Sequence, residues 1–189
     1  MRDDAQMFVR RIKKEEKAIK KQRYRCRFTH NKNHRYRYFL ECCWAENKPQ
    51  IVWIGLNPSV ANQYKLDATL YRVLYYSFKW NFGSFVMLNA FAQVDSSPHN
   101  LDRVKGIGIE NNRWIKQYLT NCSTVLCAWS NCGRHRQNEL ARMIDKKKIY
   151  CLGVDCRGYP LHPSRKCDGL EKHKMHFIEN RKGNLLSVM

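Results

Sequence analysis

The sequence predicts an α/β fold: a three-layer α/β/α sandwich around a central, mostly parallel four-stranded sheet, with an added N-terminal antiparallel strand and a basic N-terminal helix. Three observations predict it. Apolar runs of strand length (IVWIGL, SFVMLNAF, STVLCAW and KIYCLGV) recur along the chain. Between them lie segments whose apolar residues repeat at helical spacing. Each run is almost continuously apolar rather than alternating, which suits strands buried on both faces of a helix-covered sheet.

The chain starts with its most polarised part. Residues 1–37 hold 14 Lys or Arg against four acids (Asp3, Asp4, Glu15, Glu16). Met7, Phe8, Ile12, Ala18 and Ile19 recur at roughly helical spacing within MFVRRIKKEEKAIKKQR, predicting a basic amphipathic helix. Residues 1–34 therefore read as a helical extension and 35–189 as a single globular unit. RYRYFLECCW (35–44) and PQIVWIGL (49–56), separated by the polar break AENK, read as an antiparallel strand pair. LDATLYRVLYYSFKW (66–80) carries Leu66, Leu70, Val73, Leu74 and Phe78 on related helical faces, and Gly83 then interrupts the chain. The strand SFVMLNAF (84–91), a Ser/Pro loop, a helix near residues 107–119 and the strand STVLCAW (123–129) follow. A helix over about residues 134–144 leads to the last expected strand, KIYCLGV (148–154).

A chain of 189 residues that is 43% hydrophobic supports one core. Its formal charge of +19 attracts polyanions and releases their counterions on contact. Nucleic acid, double- or single-stranded DNA, is the expected partner, with an anionic membrane surface second. Residues 1–21 contain no uninterrupted apolar core, and no stretch has the length of a bilayer span, so a cytoplasmic, monomeric protein without membrane insertion is expected. Nine cysteines, an odd number scattered through apolar segments and loops, suit reduced thiols. Cys156, Cys167, His173 and His176 form one ligand-like series, and Cys26, His30 and His34 another. Neither has the C-x2-C knuckle of a strong zinc site, so no metal and no cofactor are expected.

In open α/β sheets, function gathers outside the carboxyl ends of the strands. The polar residues at those ends are Asn57, Asn89, the Trp129-Ser130-Asn131 run and His162. Two of the turns are built on Asn-Pro (GLNPS, 55–59) and His-Pro (LHPSR, 161–165).

These residues carry a resemblance. GLNPS resembles the first motif of the uracil-DNA glycosylase superfamily, especially the Gly-Ile-Asn-Pro form of its mismatch-specific branch. VMLNAFAQV (86–94) is similar to the strand bearing that superfamily's base-reading Asn, and LHPSR to its His-Pro-Ser motif. The chain also resembles a bacterial domain family sharing Leu-Asn-Pro-Ser, Asp-x-Thr and His-Pro. The similarity spans residues 36–166, with helix and strand order agreeing.

The resemblance implies a monofunctional DNA glycosylase, which flips a base from DNA and hydrolyses its N-glycosidic bond. Asn57 is then expected to orient water, and His162 to donate to the departing base. Asn89 is expected to read the flipped base's Watson–Crick edge, with Tyr64 or Phe91 stacking on the ring. Ser59 stands where the uracil-specific branch has a pocket-closing Tyr, so 5-substituted pyrimidines such as those of phage DNA become admissible, and with them a defence role. Uracil or mismatched thymine stays open as substrate. After the His-Pro turn, Ser164, Arg165 and Lys166 are expected at phosphates and Leu170 as a wedge. Asp67, Thr69 and Arg72 form D-x-T-x-x-R; Arg72 is expected near the pocket at DNA, and Asp67 is alternatively a helix N-cap. No Lys stands in a Schiff-base context. The alternatives are a non-catalytic DNA- or RNA-binding module on the same fold, and a hydrolase acting on small nucleosides.

Overall fold

The structure, a computed structural model, describes residues 25–30, 35–59, 66–144, 147–164, 171–180 and 183–189. The expected basic helix lies outside these residues, as do Tyr64, Arg165, Lys166 and Leu170. In chain order the elements are β1 (Arg25–His30), β2 (Arg37–Cys43), β3 (Gln50–Gly55), α1 (Ala68–Lys79), β4 (Ser84–Asn89), α2 (Asn111–Asn121), β5 (Thr124–Cys127), α3 (Gln137–Ile144), β6 (Lys148–Cys151), β7 (His173–Lys174), β8 (His176–Glu179) and β9 (Leu185–Val188). Short 3-10 turns precede α2 and α3.

The architecture is mixed α/β. One sheet runs β1-β2-β4-β3-β5-β6-β7, and β8-β9 form a separate hairpin. Strands β4, β3, β5 and β6 pair in parallel. The β1–β2, β2–β4, β6–β7 and β8–β9 pairings are antiparallel. The sheet is therefore larger and more mixed than the mostly parallel four-stranded one expected, because strands are added at both edges. β1 and β7 to β9 were not foreseen: residues 25–30, expected within a helical extension spanning 1–34, instead pair with β2 as an edge strand of the sheet, and the side chains of β7 and β8 are mostly exposed and leave little apolar signal.

A second expectation is corrected by register. β2 and β3 are not an antiparallel pair, because β4 lies between them, with Leu40 opposite Met87 on one side and Val52 opposite Val86 on the other. The AENK segment folds over the start of β4 instead of making a hairpin. The Trp44 and Ala45 N–H groups both donate to the Gly83 carbonyl, at 2.9 and 3.0 Å, and a side chain at Gly83 would strike the Ala45 carbonyl.

Alternate residues of each central strand face two different cores. Ile51 and Trp53 join a cluster with Leu70, Val73 and Leu74 of α1, whereas Val52 and Ile54 join one with Ile115 of α2 and Leu140 of α3. α1 begins where Asp67 accepts the Leu70 N–H at 2.9 Å, the N-cap foreseen as one alternative. Arg136, 2% exposed, donates through Nε to the Ala90 carbonyl and through its other nitrogens to Asn112 and Glu139. It thereby ties the exit of β4 to α2 and α3. Parallel pairing puts the carboxyl ends of β3, β4, β5 and β6 on one edge, where the Asn57, Asn89, Ser130 and His162 segments emerge.

Candidate functional site

At that edge lies a cavity of about 380 Å³, walled by Asn57, Ser59, Asn89, His162 and Ser164 together with Arg37, Asp67, Thr69, Asp95, Ser130 and Cys132. Asn57, Asn89 and His162, from three separate segments of the chain, thus reach one space.

Asn57 follows β3 in a turn laced to the segment leaving β4. Its Nδ2 donates to the carbonyls of Pro58 at 3.0 Å and Asp95 at 2.8 Å, while the Asp95 N–H donates to the Pro58 carbonyl. Only the NH2 end of an amide can face two carbonyls, so the side-chain orientation is fixed and Oδ1 remains as an acceptor.

Asn89 ends β4 directly across from Gly55 of β3. It is 1% exposed, and neither Nδ2 nor Oδ1 has a hydrogen-bond partner among the described residues. The room it occupies is made by Gly55, since a Cβ there would sit 2.9 Å from Asn89 Oδ1 and strike Met87. Glycine in GLNPS therefore serves the neighbouring strand. The Asn89 carbonyl is anchored from behind by Asn111 Nδ2 at 3.0 Å. A buried amide left wholly unpaired costs free energy that a ligand edge with complementary donor and acceptor would recover.

His162 lies beyond β6 on a loop held from two sides. The Ser130 N–H donates to the Pro160 carbonyl at 2.9 Å, and Arg72 on α1 donates to the Pro163 carbonyl at 2.6 Å. The Ser164 backbone N–H donates to His162 Nδ1 at 3.2 Å, and the Ser164 hydroxyl lies 2.7 Å from the same nitrogen. A backbone N–H can only donate, so Nδ1 is the acceptor and the neutral ring carries its proton on Nε2.

The expected site residues divide on this geometry. Asn57, Ser59, Asn89, His162 and Ser164 come together at the cavity. Arg72 does not line it and braces the His-Pro loop. Phe91 is corrected: it is 1% exposed within the cluster of Ile115 and Trp129, so its ring is committed to the core and does not face a ligand.

Sequence reasoning missed Arg37. It opens β2, is 5% exposed, and lines the cavity. Burial pulls its pKa down to about 10, with the nearby Asp67 carboxylate opposing that shift, so it stays charged at neutral pH. Its only signal in the sequence was membership of a run of cations.

Among the described residues no group of three or more His, Cys, Asp or Glu side chains is placed to hold a metal, and no helix is long and apolar enough to cross a membrane. The seven cysteines described are free thiols.

Residues 37–164 match the sequence model of a family described as a protein of unknown function, DUF1643. No curated protein and no solved structure matches the chain.

Proposed function

The chain belongs to the DUF1643 family, and we propose that it is a monofunctional DNA glycosylase of the uracil-DNA glycosylase type. In this reading it hydrolyses the N-glycosidic bond of a base flipped into the cavity and leaves an abasic site. The observation that carries the proposal is the Asn89 amide, buried and unpaired at a cavity shared with Asn57 and His162. A nucleobase edge presents neighbouring donors and acceptors, which is what such an amide lacks. The reading supposes the three-layer α/β/α arrangement, and the apolar clusters on the two faces of the sheet support it.

Bond cleavage leaves cationic character on the sugar and negative charge on the departing base. Asn57, with both amide hydrogens engaged, offers Oδ1 to hold the attacking water; an amide is too weak a base to deprotonate it early. His162, protonated on Nε2 when neutral, donates to the base as charge develops. Catalysis then rests on position and electrostatics, with the substrate's own phosphates helping the sugar cation. Ser59 lines the cavity where a bulky residue would close it, which favours a 5-substituted pyrimidine, the kind of base found in modified phage DNA. The chain's +19 charge supplies affinity for DNA, and defence against phage is the biological role this substrate suggests.

The test is incubation with uracil-containing, hydroxymethylated and glucosylated DNA, followed by mass analysis of released bases and alkaline cleavage at abasic sites. Release is expected from at least one modified DNA, falling about 10²–10³-fold in Asn57→Ala. Intact binding to every DNA with no release from any would end the proposal.

A further inference from the structure

A lysine of the C-terminal segment is lodged among aromatic rings that belong to the body of the fold. Lys172 Nζ lies 5.0 Å from the ring centre of Trp80, 5.7 Å from that of Tyr150 and 5.9 Å from that of Phe82, all within reach of cation–π attraction. Trp80 ends α1, Phe82 precedes β4 and Tyr150 lies in β6. The rings are held in place from behind. Trp80 stacks on the fully buried Trp53 at 5.9 Å and on Tyr76 at 5.2 Å, Trp53 Nε1 donates to Ser77 Oγ at 3.0 Å, and Phe82 is buried in the same cluster. The residues after Lys172 cross to the other face of the sheet. β7, the outermost strand, pairs with β6 through only two residues, His173 opposite Cys151 and Lys174 opposite Tyr150. The Met175 N–H then donates to the Ile149 carbonyl at 3.0 Å, and Met175 and Phe177 join the cluster of α2 and α3, where Phe177 stacks on Trp129. Residues 172–177 thus wrap the edge of β6, with a cation held on one face and two apolar side chains on the other.

We propose that Trp80, Phe82 and Tyr150 form an ammonium-binding cage, and that Lys172, its occupant within the chain, clasps the C-terminal segment around the sheet edge. A two-residue strand is too short to hold that edge by its ladder alone. No ring of the cage lies on the segment it holds, so the cage persists when Lys172 leaves and an organic cation can take its place. Three π faces attract positive charge but cannot replace the water around a strongly hydrated ion, which favours a quaternary ammonium group. A neutral group of the same shape gains nothing from the ring quadrupoles. A quaternary ammonium ion therefore competes with Lys172, and its binding frees β7 and uncovers the hydrogen-bonding edge of β6. The clasp stands whether or not the cavity takes a nucleobase.

Hydrogen exchange at the Met175 amide of the full-length protein reads whether the edge is covered, and the indole N–H resonance of Trp80 reads the cage. Lys172→Met, which keeps the length of the side chain but not its charge, should speed Met175 exchange about tenfold. Lys172→Arg, which keeps the charge, should stay within about twofold of the wild type. Choline should shift the Trp80 resonance of Lys172→Ala at about tenfold lower concentration than that of the wild type, where the tethered lysine competes. In the wild type, saturating choline should speed Met175 exchange as Lys172→Met does, while its uncharged analogue with carbon in place of nitrogen should leave both signals unchanged. Met175 as protected in Lys172→Met as in the wild type, or as unprotected in Lys172→Arg as in Lys172→Met, overturns the clasp. So does faster exchange that extends to the amides of β3, because the clasp is local. A response to the uncharged analogue equal to that to choline, the same choline response in wild type and Lys172→Ala, or none in either, overturns the cage.

Discussion

The cavity at the carboxyl ends of the parallel strands and the polar seam beneath the C-terminal hairpin are both lined with amides, yet they use them oppositely. In the seam, Gln137 is 2% exposed and fully employed. Its Oε1 accepts from Trp129 Nε1 at 3.0 Å, and its Nε2 donates to the carbonyls of Gly158 at 3.0 Å and Leu185 at 2.7 Å. Next to it Asn138 accepts the Leu185 N–H at 2.8 Å, and Phe177 of β8 stacks on Trp129 at 6.3 Å. The hollow there measures about 230 Å³, and its amides hold the hairpin to α3. In the larger cavity Asn89 is just as buried and makes no side-chain bond among the described residues. Equal burial with opposite satisfaction separates an amide that builds the fold from one that contributes no side-chain hydrogen bond to it.

The two buried arginines among the described residues repeat the contrast. Arg136 and Arg37 both have a pKa pulled down to about 10 by burial. Arg136 joins β4 to two helices, whereas Arg37 borders the cavity.

The sharpest way to break this comparison is to remove each amide in turn. On the glycosylase proposal, Asn89→Ala should reduce base release about a hundredfold or more, because a bound base edge would lose its partner. The same change should leave folding intact or raise stability by about 1 kcal/mol, since two unpaired buried atoms disappear. Chemical denaturation and a release assay on one preparation give both numbers, and a loss of stability would mean that Asn89 is structural.

Gln137→Ala should do the reverse. Losing three buried hydrogen bonds is expected to cost about 3 kcal/mol, with release by the folded fraction changed less than twofold. A large drop in turnover at full folding would remove the distinction between the two regions.

Arg37→Met sharpens the comparison with a smaller effect. Burial disfavours the charged guanidinium in the folded chain relative to the unfolded one, so the cost is present wherever Arg37 is charged in both states. It is relieved only as pH rises through about 10. The variant should therefore differ from the wild type in melting temperature by a gap that stays constant between pH 6 and 9, and bind substrate more weakly. A gap that changes across that window would place its origin in another group.

Much of this was legible beforehand. The apolar runs of β3, β4, β5 and β6 mark themselves because strands buried on both faces leave no polar alternation. Asn57, Asn89 and His162 are found by asking which polar residues end those runs. Phe91 misled for the same reason: an aromatic just past a strand end looks available, and only its burial in the cluster that holds Ile115 and Trp129 shows that it is not. Arg37 could not be picked out among the 14 cations of residues 1–37, because burial depends on neighbours far along the chain. Its N–H donates to the Ala92 carbonyl at 2.8 Å, a contact between segments more than fifty residues apart.

By itself the sequence determined where β2 to β6 and the three helices lie, that the chain is strongly basic, and which polar turns close the central strands. Those properties depend on local periodicity and composition. Only the tertiary structure decided that β4 lies between β2 and β3, that Gly55 makes room for the Asn89 amide, and that Arg37 reaches the cavity. Strand order and burial are set by which surfaces meet when distant segments pack, and no local pattern records that.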